Sequence, residues 1–360
     1  MSGVADRSDA DGRVQRAELI ARIFPEGLPR LWCPPLAHYG SSGALDRERQ
    51  KLHFLQMCSH VGAFLVPGST TDGWELTRPE RAELLADILR WADELGVRVL
   101  IGALHAESAV AAEMIAEVLE SGGVPSSNGQ WDWTGPVCGF AICPPRRSGL
   151  SQQEIGDGLA RVLALGVPTA LYQLPQVTQN EMSPELVCEL ARRFPNFFLF
   201  KDSSGTDTVA NAGLDYGGVW MVRGAESDYH RWLKASGGPY DGFLLSTANC
   251  FAPQLNEIIA AAASGQADRA EQLSRPITEL VSAVFSLVAK VPQGNAFANA
   301  NKAIDHWLAF GPAADEIAPP YLRGGVPMPA AVISETGRLL RQHRLMPAEG
   351  YWIESIQRQP

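Results

Sequence analysis

The 360-residue sequence predicts a closed (β/α)8 (TIM) barrel with additional C-terminal helices. Eight short apolar runs alternate with longer stretches whose apolar residues recur every three or four positions, the period of a helix. The alternation extends over about 230 residues, the length eight strand–helix units need. No GxGxxG follows the first run and no GxxxxGK[ST] occurs, so nucleotide-binding sheets gain no support. An open doubly wound sheet is the structural alternative on pattern alone.

The expected strands are, in order, Leu31–Cys33, Ala63–Val66, Arg98–Ile101, Val137–Ile142, Thr169–Tyr172, Phe197–Phe200, Val219–Val222 and Gly242–Leu245. Amphipathic stretches between them include Pro79–Leu95, Ser108–Leu119, Gln152–Leu165, Ser183–Arg193 and Ser227–Ala235. Thr77-Arg-Pro-Glu80 combines a capping hydroxyl, a proline and a glutamate three residues on, the signature of a helix start. Ser183-Pro-Glu185 follows the same logic. Residues 1–28 read as a polar leader, partly disordered, residues 29–263 as the barrel, 264–347 as a helical region packed on it, and 348–360 as a tail. The Gly-, Ser- and Trp-rich segment 121–136 reads as an insertion, and pocket size is expected to depend on it and on the C-terminal helices.

Composition narrows the function. A 46% hydrophobic and 19% charged chain is ordinary for a soluble globular protein. A net charge of −10 without a long basic run argues against nucleic acid or an anionic membrane as the partner. No stretch of about 18 apolar residues occurs, and the N-terminal residues lack the apolar core of a signal peptide. A cytoplasmic location with six reduced cysteines follows, and no CxxC pair or His/Asp/Glu grouping has metal-ligand spacing. No metal or cofactor is expected.

Against 25 arginines stand only five lysines, and Lys201 ends the apolar run Phe197–Phe200. Strand alternation places Phe197, Leu199 and Lys201 on one face, at the barrel end where catalytic groups collect. A lysine desolvated there populates a neutral amine able to attack a ketone. Position alone also suits a solvated strand-end lysine, and the other four lysines read as surface or snorkelling residues. Residues 68–81, "GSTTDGWELTRPER", follow the second strand and combine glycine, small hydroxyls and a helix start. Such a turn can hold a carboxylate, although it also suits an ordinary capping loop.

In this order and spacing, several motifs resemble the dihydrodipicolinate synthase/N-acetylneuraminate lyase family of class I aldolase barrels. They are Gly68-Ser69-Thr70 with Leu76-Thr77-x-x-Glu80-Arg81, Leu171-Tyr172-Gln173-Leu174-Pro175, and Lys201-Asp202-Ser203-Ser204-Gly205. Gly242-Phe-Leu-Leu-Ser246-Thr-Ala-Asn249 and the C-terminal "LRGGVPMPA" complete the set, which runs from about Leu31 to Met346. The resemblance implies that Lys201 forms a Schiff base with pyruvate or a related 2-oxo acid. It implies that Ser69 and Thr70 hold the substrate carboxylate, that Ser246 belongs to the substrate-binding set, and that the chain forms a homodimer or homotetramer.

The sequence departs from that family after the fourth strand. Many members carry a relay tyrosine there, whereas "AICPPRRSG" places Arg146 or Arg147 in its stead. Arginine stays charged and shuttles protons poorly, yet it grips a carboxylate in bidentate fashion. Both arginines also suit a solvated loop. A second departure is Thr71-Asp72 in place of Gly-Glu. Tyr172 matches the family's tyrosine beside the imine and is the first candidate for moving the proton. His105 and His38 follow the third and first strands and could also serve as acid or base, though a loop or packing role suits each. Glu226 reads as a helix-flanking acid. The expected function is a Schiff-base lyase, an aldolase or dehydratase, other than the lysine-biosynthetic synthase. A non-catalytic 2-oxo-acid-binding barrel is the alternative.

Overall fold

The computed structural model describes residues 2–127 and 130–352. Its main strands are β1 (Leu31–Cys33), β2 (Ala63–Val66), β3 (Arg98–Gly102), β4 (Val137–Ile142), β5 (Thr169–Gln173), β6 (Phe197–Asp202), β7 (Trp220–Arg223) and β8 (Gly242–Leu244). They close into a parallel barrel in the order β1-β8-β7-β6-β5-β4-β3-β2, so each strand lies beside its neighbours in sequence. All eight expected strands are present. Several extend a residue or two beyond their apolar run, as β6 does through Lys201 and Asp202. All six residues of β6 are buried. Burial on both faces explains why its sequence is a continuous apolar run rather than an alternation.

The long helices are α1 (Ser2–Ile23), α2 (Arg47–Cys58), α3 (Arg78–Leu95), α4 (Ser108–Glu120), α5 (Gln152–Leu163), α6 (Pro184–Arg193), α7 (Ala248–Ala263), α8 (Ala267–Val288), α9 (Ala296–Phe310) and α10 (Ala330–Gln342). Their starts are chemically marked. Glu80 accepts from the Thr77 main-chain N–H at 2.7 Å and from its hydroxyl at 2.8 Å, and Ser151 with Glu154 forms a capping box ahead of α5. The expected helix over 227–235 is instead a single turn, Tyr229–Trp232, followed by a 3-10 turn, Lys234–Ser236. Leu233 between them is extended, which ends the helical ladder.

Main-chain packing divides the chain into two compact units. One comprises Met1–Arg30, Ala92–Ala225 and Pro239–Leu244. Within it, the segment read as a leader carries α1, whose Arg16 is 1% exposed. Arg16 donates to four carbonyls, those of Phe197 at 2.6 Å, Phe194 at 3.1 Å, Ala191 and Gly217. Burial, with Arg13 nearby, lowers its pKa to about 10. The polar pattern of residues 1–28 conceals this helix, because among the described residues Arg16, Arg13 paired with Asp215, and Ile23 anchor it without a continuous apolar stripe.

Segment 121–136 forms a small hairpin, Ser126–Ser127 against Gln130–Trp131. Arg98, the first residue of β3, donates to the carbonyls of Trp133, Thr134 and Gly135. The hairpin joins α4 to β4, so it meets β3 and β4 at their N-terminal ends. Lys201 lies near the C-terminal end of its strand, and the expected influence of this insertion on the pocket is therefore corrected.

The second unit comprises Leu31–Trp91, Glu226–Gly238 and Leu245–Pro360. In it α7, α8, α9 and α10 pack in succession. The expected tail, 348–360, is described as far as Trp352, and its remainder lies outside the described residues.

Candidate active site

Lys201 is the fifth residue of β6 and pairs in register with Tyr172 of β5 and Val222 of β7. It is 4% exposed and Tyr172 3%. The lysine Nζ lies 3.9 Å from the centroid of the Tyr172 ring, a cation–π arrangement. Among the described residues Lys201 forms no ion pair. Space for it depends on Gly224, just beyond β7, where a Cβ would stand 2.7 Å from Lys201 Cε and would also strike Ser203 Oγ. Cys143 at the end of β4 is buried, and that burial pushes its thiol well above the usual range, against the pull of the Lys201 charge. A thiol so raised is a poor nucleophile.

Asp202, next to Lys201 along the strand, anchors a buried polar cluster. Its Oδ1 accepts from Ser204 N at 2.9 Å and Ser204 Oγ at 2.6 Å. Tyr240 donates to Asp202 at 3.2 Å and to Asp207 at 2.6 Å, while Arg223 grips Asp207 through two bonds of 2.9 and 3.0 Å. Burial raises the Asp202 pKa. The sequence "KDSSG" therefore gives one residue to the amine and the next to a cluster that fixes the strand end.

In the other unit, the residues after β2 form a 3-10 turn, Ser69–Thr71. Ser69 is 7% exposed and Thr70 3%. Trp74 Nε1 donates to Ser69 Oγ at 3.1 Å, and Thr71 Oγ1 donates to Pro35 O at 2.6 Å. Asp72 closes the turn in the left-handed region, φ 55°. Its carboxylate accepts from Tyr39 OH at 3.0 Å and Asn295 Nδ2 at 2.8 Å. Ser246 is also buried and donates to Glu226 Oε1 at 2.6 Å. Glu226 further accepts from Thr247 N at 3.1 Å, just ahead of α7, and from Tyr229 OH at 3.0 Å, at the start of the next helical turn.

The remaining candidates lie elsewhere. Arg146 and Arg147 are exposed and line an open groove of about 500 Å³ with Glu107, Glu154 and Arg161. Arg147 pairs with Glu154 at 2.7 Å. Arg146 forms no ion pair among the described residues. His105 is half-buried, and its Nδ1 accepts from Glu107 N at 3.0 Å.

His38 is 5% exposed and lies 2.9 Å from His53, whose other nitrogen faces Asn249 O at 2.9 Å. The carbonyl can only accept, so His53 donates there and receives the His38 proton. Burial and the Arg49 charge hold the His38 pKa well below its usual value. Folding brings Asp305 close enough for His38, His53 and Asp305 to be considered as a metal grouping. The donor set suits a cation poorly, because the facing imidazole nitrogens bond to each other and Arg49 pairs with Asp305.

Sequence reasoning missed Lys302, which is 1% exposed on α9 and not a surface lysine. Its only signal was position, in a helix where Ala298 through Trp307 are all buried.

Comparison with known proteins supports the barrel fold. The dihydrodipicolinate synthetase family model matches residues 136–296, the segment containing both Tyr172 and Lys201. The 4-hydroxy-tetrahydrodipicolinate synthase of Lactococcus lactis subsp. cremoris is 23% identical over 240 residues, covering 66% of this chain and 74% of the relative. Two solved structures share the fold. A prophage protein of the dihydrodipicolinic acid synthase family from E. coli K12, in complex with pyruvate, aligns at TM-score 0.68 and 19% identity, over 89% of this chain and 100% of that one. A Sulfolobus 2-keto-3-deoxygluconate aldolase complexed with D-KDPG aligns at TM-score 0.63 and 13% identity, over 88% and 96%. On the barrel, the motif order and these matches together, the chain is similar to the dihydrodipicolinate synthetase family, whose model matches less than half of its length.

Proposed function

We propose that the protein is a Schiff-base-forming lyase acting on pyruvate or another 2-oxo acid through Lys201. The observation that carries this reading is a buried lysine at the end of β6 that has no acidic partner among the described residues and is set against Tyr172. The neutral amine attacks the keto carbon, and the carbinolamine loses water to give an iminium. That cation accepts the electron pair released when a proton or a carbon–carbon bond leaves the adjacent carbon. The resulting enamine is then protonated, adds to an aldehyde, or expels a β-hydroxyl as water.

In this reading the Ser69–Thr71 turn holds the substrate carboxylate with hydroxyl and main-chain donors, Ser246 contributes to the substrate-binding set, and Tyr172 moves the proton. Arg146 binds a second acid group of the substrate, because Arg147 already has Glu154. The enzyme works in the cytoplasm as a homodimer or homotetramer. The pyruvate bound by the E. coli relative and the D-KDPG bound by the Sulfolobus aldolase support a small 2-oxo acid as substrate class.

A second reading, a non-catalytic barrel that binds a 2-oxo acid, is favoured by one observation. Arg146 or Arg147 stands where the family's relay tyrosine is expected. Borohydride reduction with a panel of 2-oxo acids, followed by intact-mass and peptide analysis, tests the lyase. An adduct confined to Lys201 supports it, and no adduct with any member of the panel removes it. Adduct without turnover or exchange of the substrate methyl protons favours the second reading.

A further inference from the structure

Desolvating an ammonium group is costly, so fully buried lysines are rare unless paired. Lys302 of α9 is such a group, and its Nζ has no hydrogen-bond partner among the described residues. It stands 3.7 Å from Asp72 Oδ2 and 4.5 Å from the centroid of the Tyr39 ring. Burial lowers its pKa, opposed by the Asp72 carboxylate.

Asp72 is the point where this charge meets the Ser69–Thr71 turn. One carboxylate oxygen faces Lys302 and accepts from Tyr39 OH. The other accepts from Asn295 Nδ2, which also donates to Ser69 O at 3.0 Å. Arg323 closes the arrangement, 3.4 Å from Tyr39 OH, 3.1 Å from Glu80 and 2.6 Å from Glu75 O. The left-handed backbone of Asp72 is unusual for a residue with a side chain. Its carboxylate is thus tied on both oxygens by groups that begin or belong to α9 and by Tyr39. A change at Lys302 alters the force on Asp72 and, through it, the placement of Ser69 and Thr70.

Resting on the reading that this turn holds the substrate carboxylate, we infer that Lys302 is a positioning residue. Its ammonium fixes the Asp72 carboxylate, and Asp72 fixes the turn that presents Ser69 and Thr70. Lys302 itself touches neither the imine nor the reacting carbon.

The test uses the full-length protein, pyruvate and borohydride, measuring the trapping rate at Lys201 against pyruvate concentration. In Lys302→Met the half-saturating pyruvate concentration is expected to rise about tenfold or more, as for the loss of a charge-assisted contact. The rate at saturation stays within about threefold, because the amine is untouched. In an Asp72→Asn background the same substitution changes half-saturation by less than about twofold, since its effect runs through Asp72. Unchanged half-saturation in Lys302→Met, or an equal effect in both backgrounds, overturns the proposal. Should these variants fail to fold, Asn295→Ala decides. It cuts the bridge from Asp72 to Ser69 while leaving the buried pair, and it must raise half-saturation or the proposal falls. Absence of trapping in the parent protein removes the functional reading and this role together. Trapping in the parent with unshifted variants removes this role alone.

Discussion

The ammonium nitrogen of Lys201 lies 3.9 Å from the centroid of the Tyr172 ring, and strand pairing makes the two direct neighbours. Among the described residues no hydrogen bond joins them. The ring therefore serves the lysine first as a wall and a π face, and its hydroxyl is a separate chemical resource. Distinct substitutions can separate these contributions.

Lys201→Ala is expected to abolish borohydride adduct with pyruvate and to lower turnover at least about 10³-fold, the scale of losing a covalent nucleophile. Intact mass after reduction checks it. A remaining adduct of the same mass would assign the imine to another amine.

Tyr172→Phe keeps the ring and removes the hydroxyl. Trapping at Lys201 should persist, whereas deuterium exchange at the pyruvate methyl should fall about 10²-fold or more. Exchange at the parent rate would take the proton relay away from Tyr172.

Gly224→Ala places a methyl 2.7 Å from Lys201 Cε. The lysine or the strand end must give way, so kcat should fall about tenfold or more, with a stability loss of about 1–3 kcal/mol. Kinetics with urea unfolding measures both. Parent-like values in both would mean that the lysine has room to spare.

Arg146→Ala should raise KM for a dicarboxylic 2-oxo acid about tenfold while leaving KM for pyruvate within about twofold. Arg147→Ala should change neither by more than about twofold, because its partner is Glu154. Equal KM values in parent and Arg146→Ala for the dicarboxylic substrate would end the second-carboxylate reading.

Stability should decline below about pH 6.5 through His38 and His53. Burial lowers both pKa values from 6.5, with Asp305 opposing at His53. The unfolded chain then takes up protons that the native protein refuses. Stability is full above the unfolded value and is lost as pH falls toward the native ones, by up to about 1.4 kcal/mol per pH unit for each imidazole. Asp305 contributes in a separate, more acidic window. Burial works to raise its pKa, yet Arg49, His53 and Tyr351 hold it below 3.8. Urea unfolding at pH 7.5 and 5.5 should show the loss, and His38→Gln should reduce it. A flat profile would contradict the burial of neutral imidazoles.

The strands were legible because they are short apolar runs broken by proline, glycine or polar residues, and two helix starts because Thr77 and Ser183 carry local capping chemistry. Lys201 stood out for the same reason, as an isolated charge ending such a run. Lys302 did not. Its neighbours in "NANKAIDHW" are small or polar apart from Ile304 and Trp307, so no continuous apolar stripe marked the helix as buried. Arg16 gave no signal and His38 was left open on similar grounds, since their partners are main-chain carbonyls and a second histidine supplied by distant folding. The insertion at 121–136 could be found by composition, but only strand polarity says which end of β4 it meets.

The bridge from Asn295 to the carbonyl of Ser69 spans 226 positions. During synthesis β2 and its turn leave the ribosome long before α9 does. Until that helix emerges, Asp72 lacks both Asn295 and Lys302, and the turn has only its local bonds. An arrested chain ending before residue 295 would carry Lys201 on a complete β6 and still bind a 2-oxo acid poorly. Competence to bind would be one of the last properties this chain acquires.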